Sequence, residues 1–295
     1  MEIHRVGVVG CGLMGSGIAQ CAAEAGCDVW VKEADEALLS RGLGRIHSAW
    51  DRAVAKGKVT EEQRSAWTGN LHGTLAFPDL ATCDLVVEAI PEQLDLKLQT
   101  FAELDRVLGA SALLCTNTSS LSVAQLSPVL SPHRLPRLAG LHFFNPVPVM
   151  PLVEIIRTLA TEEDGLASLR AFVQKLGKTA VMAPDAPGFI VNRVLVPYLL
   201  DAMRCAEQRL ASVEDIDTGM KLGCGHPMGP LHLSDFIGLD TMQSVAEVLF
   251  EAFGEPRFKA PALLRQLVAS GRLGRKTGTG FYRWEGEKRQ EALPL

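Results

Sequence analysis

Val6-Gly7-Val8-Val9-Gly10-Cys11-Gly12-Leu13-Met14-Gly15 is a short apolar run that breaks on G-x-G-x-x-G and continues into residues at helical spacing. Glycine triplets recur by chance, but here a strand leads in and a helix leads out. In that setting Gly10 permits the tight turn, Gly12 lets backbone approach a pyrophosphate, and Gly15 allows the helix to pack on the strand. The helix N-terminus adds unsatisfied N–H groups and a partial positive charge. A second strand-like run ends at Glu33, close to the ~20-residue offset at which a ribose-binding carboxylate belongs. A carboxylate accepts from a ribose 2′-OH and repels a 2′-phosphate, so NAD is expected over NADP. Strand alternation should turn the preceding Lys32 to the opposite face. Gly10, Cys11, Gly12, Leu13, Met14, Gly15 and Glu33 form the expected cofactor cradle.

The pattern continues beyond this motif. Compact apolar runs at 5–9, 28–31, 85–88, 113–116, 138–143, 153–156 and 179–182 read as strands covered on both faces. Amphipathic stretches at 16–25, 94–108 and 163–176 separate several of them. Repeated strand–helix–strand units predict an α/β domain with a Rossmann-type, doubly wound and mostly parallel sheet. Pro184-Asp185-Ala186-Pro187-Gly188 then marks a junction. Past it helices dominate, with no β alternation before 280–284. Ser212 opens a helix with the form of a capping box, which is expected to stop at Gly223. Further helices should end at Gly254 and Gly271, and one spanning 190–206 should kink at Pro197. The expected domains are 1–184, binding the dinucleotide, and 188–295, an all-helical C-terminal domain.

Charge and cysteine usage exclude other classes. With 29 Lys+Arg against 34 Asp+Glu, the chain has no basic field for nucleic acid. No apolar run approaches the ~18 residues that span a bilayer, and no leader pattern is visible at the N-terminus. Seven scattered cysteines, odd in number and without a C-x-x-C pair, argue against a disulfide framework or a zinc site. No metal is expected. A cytoplasmic location is.

Polar residues at strand ends carry the chemistry, because ligands of open α/β sheets collect there. His142 follows one apolar strand and precedes a Pro-rich turn, and Glu154 lies inside another. A buried carboxylate needs a partner. Paired with His142 it would orient the imidazole and stabilise its protonated form, so the ring could take a hydroxyl proton while hydride leaves the same carbon. The pair reads equally well as a core histidine satisfied by a structural carboxylate.

Taken together, these motifs resemble the short, single-function L-3-hydroxyacyl-CoA dehydrogenases, including the 3-hydroxybutyryl-CoA type. The matching segments are 10–15, Asn117-Thr118-Ser119-Ser120-Leu121, the stretch 140–148 with His142-Phe143-Phe144-Asn145-Pro146, Pro187-Gly188-Phe189-Ile190-Val191-Asn192-Arg193, 226–230 and 273–278. The resemblance implies that His142 is the general base and Glu154 its orienting partner. It implies that Ser119 and Asn192 hydrogen-bond the reacting oxygen and the acyl thioester. Glu92, Lys97, Ser119, Asn145 and Lys276 would join the NAD site. Without the resemblance, Glu92 and Lys97 read as a solvated pair at a helix start, and Ser119 as a helix-capping hydroxyl. The segment 37–58 would hold the coenzyme A portion, with Lys56, beside Arg52 and Lys58, reaching its phosphates. A homodimer through the second domain and a role in fatty acid metabolism are further implications.

The chain departs from the family pattern at Gly225, at Gln208-Arg209, and in 130–136, a slightly long stretch that a surface loop should absorb. Two other readings remain open. One is an NAD-dependent dehydrogenase of a non-CoA hydroxy acid or sugar acid, and the other is a nucleotide-binding protein without turnover.

Overall fold

The structure, a computed structural model, describes residues 1–294. The chain divides into two compact units, Met1–Ala186 and Pro187–Leu295.

In the first unit the chain runs β1 (Arg5–Val9), α1 (Leu13–Glu24), β2 (Asp28–Lys32), α2 (Glu36–Ala55), α3 (Glu61–Gly69), β3 (Leu71–Thr74), β4 (Leu85–Glu88), α4 (Leu94–Val107), β5 (Leu113–Thr116), β6 (Leu138–Phe143), β7 (Leu152–Arg157), α5 (Glu163–Lys175) and β8 (Thr179–Pro184). Eight strands form one sheet in the order β3-β2-β1-β4-β5-β6-β7-β8. Strands β1 to β6 pair in parallel, β7 is antiparallel to β6, and β8 is parallel to β7. Strand order reverses at β1, whose neighbours are β2 and β4. A doubly wound sheet opens its ligand crevice at such a point, beyond the carboxyl ends of the strands. The apolar runs Leu85-Val86-Val87 and Leu113-Leu114-Cys115 are fully buried, as parallel strands covered on both faces must be.

The sequence reading missed β3 and α3. Leu71-His72-Gly73-Thr74 lacks an apolar run because an edge strand buries little. Glu33 lies one residue beyond β2 rather than at its end. The segment 130–136 is also less of a surface loop than expected. Arg134 within it is fully buried and donates to the carbonyls of Leu108, Gly109 and Ala112 at 3.0, 3.0 and 2.6 Å, and to Asp105 at 3.1 Å. It thereby satisfies carbonyls just past the end of α4 that helix bonding leaves open.

The second unit contains α6 (Val191–Glu207), α7 (Val213–Cys224), α8 (Pro230–Ile237), α9 (Leu239–Phe253), α10 (Ala262–Ala269) and a hairpin of β9 (Tyr282–Glu285) with β10 (Lys288–Ala292). Leu199, Leu200, Met203, Leu231, Leu249 and Leu264 lie at the centre of its own core. The strand expected at 280–284 is thus the first arm of a hairpin. Asp235 of α8 holds that arm, accepting from the Phe281 and Tyr282 amides and from Trp284 Nε1 at 2.8, 2.9 and 2.9 Å. Helix α6 continues through Pro197 as one element. Ser212 caps α7 by accepting from the Asp215 amide at 3.0 Å. That helix stops at Gly225 rather than Gly223, because Gly225 takes the left-handed conformation, φ 69°.

Candidate active site

The glycine turn is built as its spacing requires. Gly10 sits at φ +92°. A Cβ on Gly15 would lie 1.8 Å from the Gly10 carbonyl oxygen, so only glycine lets α1 leave the turn this closely. Gly12, the N-cap of α1, offers no side-chain cap, and a Cβ there would meet nothing within 4 Å. Backbone at this helix start is therefore open to close approach and carries no side-chain cap, which fits a pyrophosphate. Glu33 folds back onto this turn, with Oε1 accepting from the Cys11 amide at 2.5 Å and Oε2 from the Ala34 amide at 2.9 Å. Lys32 is aimed elsewhere, its Nζ 4.1 Å from the centre of the Phe77 ring. Burial, with Glu33 adding and Arg45 opposing, pushes the Cys11 thiol up to about 12. Cys11 therefore contributes a neutral group beside the phosphate cradle.

Next along the sheet, β4 ends in Glu88 and β5 in Thr116. Glu88 is 0% exposed and Lys97, one turn into α4, is 1% exposed. The Lys97 ammonium donates to Glu88 Oε1 and Oε2 at 2.6 and 2.9 Å and lies 3.2 Å from Glu92 Oε2. Glu88 also accepts from the Ile90 amide and the Thr116 hydroxyl, each at 2.7 Å. Glu92 Oε1 holds the turn after β5. It accepts from the Thr118 hydroxyl, from the Ser119 and Ser120 amides at 3.0 and 3.2 Å, and from the Ser120 hydroxyl at 3.0 Å. Burial pushes the Glu92 carboxyl up, but Lys97 and the donors of this turn outweigh it and hold the group below its ordinary value. The solvated-pair alternative fails for Lys97. Its aliphatic stem and charge are both inside the protein.

On β6, His142 stands directly across from Glu154 of β7 in the antiparallel register. Nδ1 of His142 lies 2.7 Å from Glu154 Oε2, with the two side chains 8% and 0% exposed. An ionised carboxylate only accepts, so Nδ1 carries the proton and the ring's orientation is set. Asn117 ties the neighbouring strand end to this one, its Oδ1 accepting from the Phe143 amide at 2.9 Å. Asn145 follows on an exposed turn and precedes Pro146 through a cis peptide bond. The ammonium of buried Lys178 donates to the Val147 and Met150 carbonyls of the same turn at 2.6 and 2.8 Å.

The 3-hydroxyacyl-CoA dehydrogenase family models match most of the chain, the NAD binding domain over residues 5–186 and the C-terminal domain over 188–284. The chain belongs to this family. It is 48% identical over 282 residues to a 3-hydroxybutyryl-CoA dehydrogenase of Mycobacterium tuberculosis, covering 95% of this chain and 98% of that protein. A probable 3-hydroxybutyryl-CoA dehydrogenase of Bacillus subtilis is 43% identical, covering 97% and 99%. The crystal structure of (S)-3-hydroxybutyryl-CoA dehydrogenase from Ralstonia eutropha superposes with a TM-score of 0.92 at 43% identity, over 96% of this chain and 100% of that one.

As a member of the 3-hydroxyacyl-CoA dehydrogenase family this protein is an NAD-binding oxidoreductase. Its first unit gathers the glycine turn, Glu33, Glu92, Lys97, Ser119, His142, Asn145 and Glu154. Asn192 and Lys276 stand in the second unit. Asn192 is in the first turn of α6, entered through Gly188 and Phe189 at φ 75° and 45°. Lys276 pairs with Asp240 at 2.5 Å. Lys56 is the exposed C-cap of α2. Sequence reasoning passed over Glu88, although it carries the signal that singled out Glu154, a lone carboxylate in an apolar strand. It also passed over Asp185, which accepts from the Ser122 hydroxyl and from the Val123 and Ala124 amides at 2.8, 2.9 and 2.8 Å.

Proposed function

We propose that this protein interconverts L-3-hydroxyacyl-CoA and 3-ketoacyl-CoA, with His142 exchanging the proton and Glu154 holding the ring. The observation that carries the reading is the buried 2.7 Å contact between His142 Nδ1 and Glu154. With Nδ1 engaged, Nε2 is the nitrogen that meets substrate. When bound, NAD supplies the hydride acceptor. In the oxidative direction the substrate hydroxyl proton passes to His142 Nε2, and the C3–H electron pair leaves as hydride while C3–O becomes a carbonyl. Reduction reverses both transfers, and His142 then returns the proton.

Ser119 and Asn192 hydrogen-bond the reacting oxygen and the thioester, stabilising charge as it develops there. Glu33 accepts from the adenosine ribose, and Glu92, Lys97, Asn145 and Lys276 complete the cofactor site. Lys56 on α2 reaches the coenzyme A phosphates. The second unit pairs with a second copy. All seven cysteines are free, in keeping with a reducing, cytoplasmic setting. Among the described residues no helix is long and apolar enough to cross a membrane.

The test is NADH consumption with acetoacetyl-CoA, run beside free acetoacetate and NADPH. Turnover that needs both the thioester and NADH supports the reading. Tight NADH binding with turnover only on a non-CoA ketone would replace the substrate class.

A further inference from the structure

Residues 118–124 follow β5, carry Ser119 and run into a 3-10 helix at Val123–Val129. The stretch lies outside the strand ladders, so its backbone donors must find partners elsewhere. Side chains supply most of them. Thr116 Oγ1 accepts from the Thr118 amide at 3.3 Å, Glu92 from the Ser119 and Ser120 amides at 3.0 and 3.2 Å, and Thr118 Oγ1 from the Leu121 amide at 2.9 Å. At the far end Asp185 takes over. Its Oδ1 accepts from the Val123 amide at 2.9 Å, and its Oδ2 from the Ala124 amide and the Ser122 hydroxyl, each at 2.8 Å. Ser122 holds the N-cap position of the 3-10 helix without capping it through its own side chain. Asp185, 63 residues further along the chain, caps it instead.

Asp185 is itself anchored. It follows β8 directly, and its amide donates to the Arg157 carbonyl at 3.0 Å, which extends the β7–β8 ladder one residue past Pro184. In the sheet β6 and β7 stand between β5 and β8. The carboxylate thus carries position from the last strand of the sheet back to the stretch that leaves β5. Bonds from a carboxylate to backbone N–H groups are charge-assisted and stronger than neutral ones, so the tie is a firm one.

We propose that Asp185 is a positioning residue for the reaction, fixing the downstream end of the stretch that carries Ser119 and so setting where the Ser119 hydroxyl meets substrate. The proposal rests on the reading of Ser119 as a substrate-binding residue. Ser119 lies three residues before Ser122, and Leu121 between them is bonded back to Thr118. A shift at Ser122 therefore reaches Ser119 along a short stretch tied to itself. Without Asp185 the Val123 and Ala124 amides lose their acceptor, and that end of the stretch must move to find another.

The test is a double-mutant cycle on the full chain, comparing wild type, Asp185→Ala, Ser119→Ala and the two combined. The readout is kcat/KM for acetoacetyl-CoA at saturating NADH. Asp185→Ala should lower it by about 10- to 10²-fold, as a misplaced substrate-positioning group does. In the Ser119→Ala background the same substitution should cost less than about twofold, because the group it positions is gone. Asp185→Asn, which caps a helix about as well as Asp, should recover most of the loss. Equal losses in both backgrounds would overturn the proposal and leave Asp185 a cap for folding alone. Unchanged kcat/KM in Asp185→Ala would overturn it too. Should Asp185→Ala not fold, Ser122→Ala removes one of the three bonds and should cost about threefold, again only while Ser119 is present. A loss that persists without Ser119, or no loss at all, would sink the idea. No wild-type turnover of acetoacetyl-CoA, or Ser119→Ala with wild-type kcat/KM, would instead refute the reading on which the proposal rests.

Discussion

His142 with Glu154 and Lys97 with Glu88 are both buried contacts between a basic group and a carboxylate of the same sheet, 2.7 and 2.6 Å long. They are built for different work. Imidazole gains and loses a proton readily in neutral water, so a carboxylate on one nitrogen leaves a ring that can relay a proton through the other. The Lys97 ammonium lies against two carboxylates. With the donors of the Ser119 turn it holds the Glu92 carboxyl below its ordinary value. On the proposed reading the chemistry belongs to the histidine pair and the geometry to the lysine pair, a division that mutation can probe from either side.

The largest expected effect is at the histidine pair. His142→Gln removes the proton carrier and should lower kcat by about 10³-fold, within the usual range for general acid–base groups, with NADH Kd nearly unchanged. Glu154→Gln should cost less, about 10²-fold, because the ring stays but loses its orienting anion. Steady-state kinetics beside a fluorescence titration check both. Equal loss of affinity and turnover in His142→Gln would remove the contrast between the two clusters.

The lysine pair should dominate stability instead. Lys97→Met leaves Glu88 buried without its counter-charge and should cost about 3–5 kcal/mol in urea unfolding, whereas Glu88→Gln/Lys97→Met together should cost distinctly less. Additive single effects would mean that the two side chains do not act as a pair.

The smallest effect concerns acid. Glu92 is 35% exposed and its carboxyl is held below the ordinary value. A depressed carboxyl stabilises the fold fully above its unfolded pKa and loses that contribution as pH falls through the folded one. Melting temperatures of wild type and Glu92→Gln should therefore differ near neutrality and converge on acidification. A constant gap would mean that charge on Glu92 does not matter.

What could be read along the chain follows the reach of each interaction. Gly10, Gly12 and Gly15 announce a phosphate turn because their constraints act within a few residues. The strands β4, β5 and β6 were legible as apolar runs buried on both faces. Edge strand β3 was not, since it buries too little to need a pattern. The stop of α7 was misplaced between two glycines, because only the fold decides which one turns left-handed. His142 and Glu154 were matched by the need of a buried charge for a partner, while their side-by-side placement depends on β7 running antiparallel to β6. Strand direction leaves no mark on side-chain alternation.

Residue order by itself determined the glycine turn, the acidic residue that follows β2, and a sheet-forming half followed by a mostly helical one, since local sterics and periodic burial encode all three. Tertiary structure alone decided that Glu88, Lys97 and Glu92 form one cluster beneath Ser119. Glu88 closes an apolar strand, Lys97 lies on a helix and Glu92 sits between them, and none has a local reason to be buried. Only when β4, α4 and the turn after β5 pack together does water leave, and the charges must then satisfy one another.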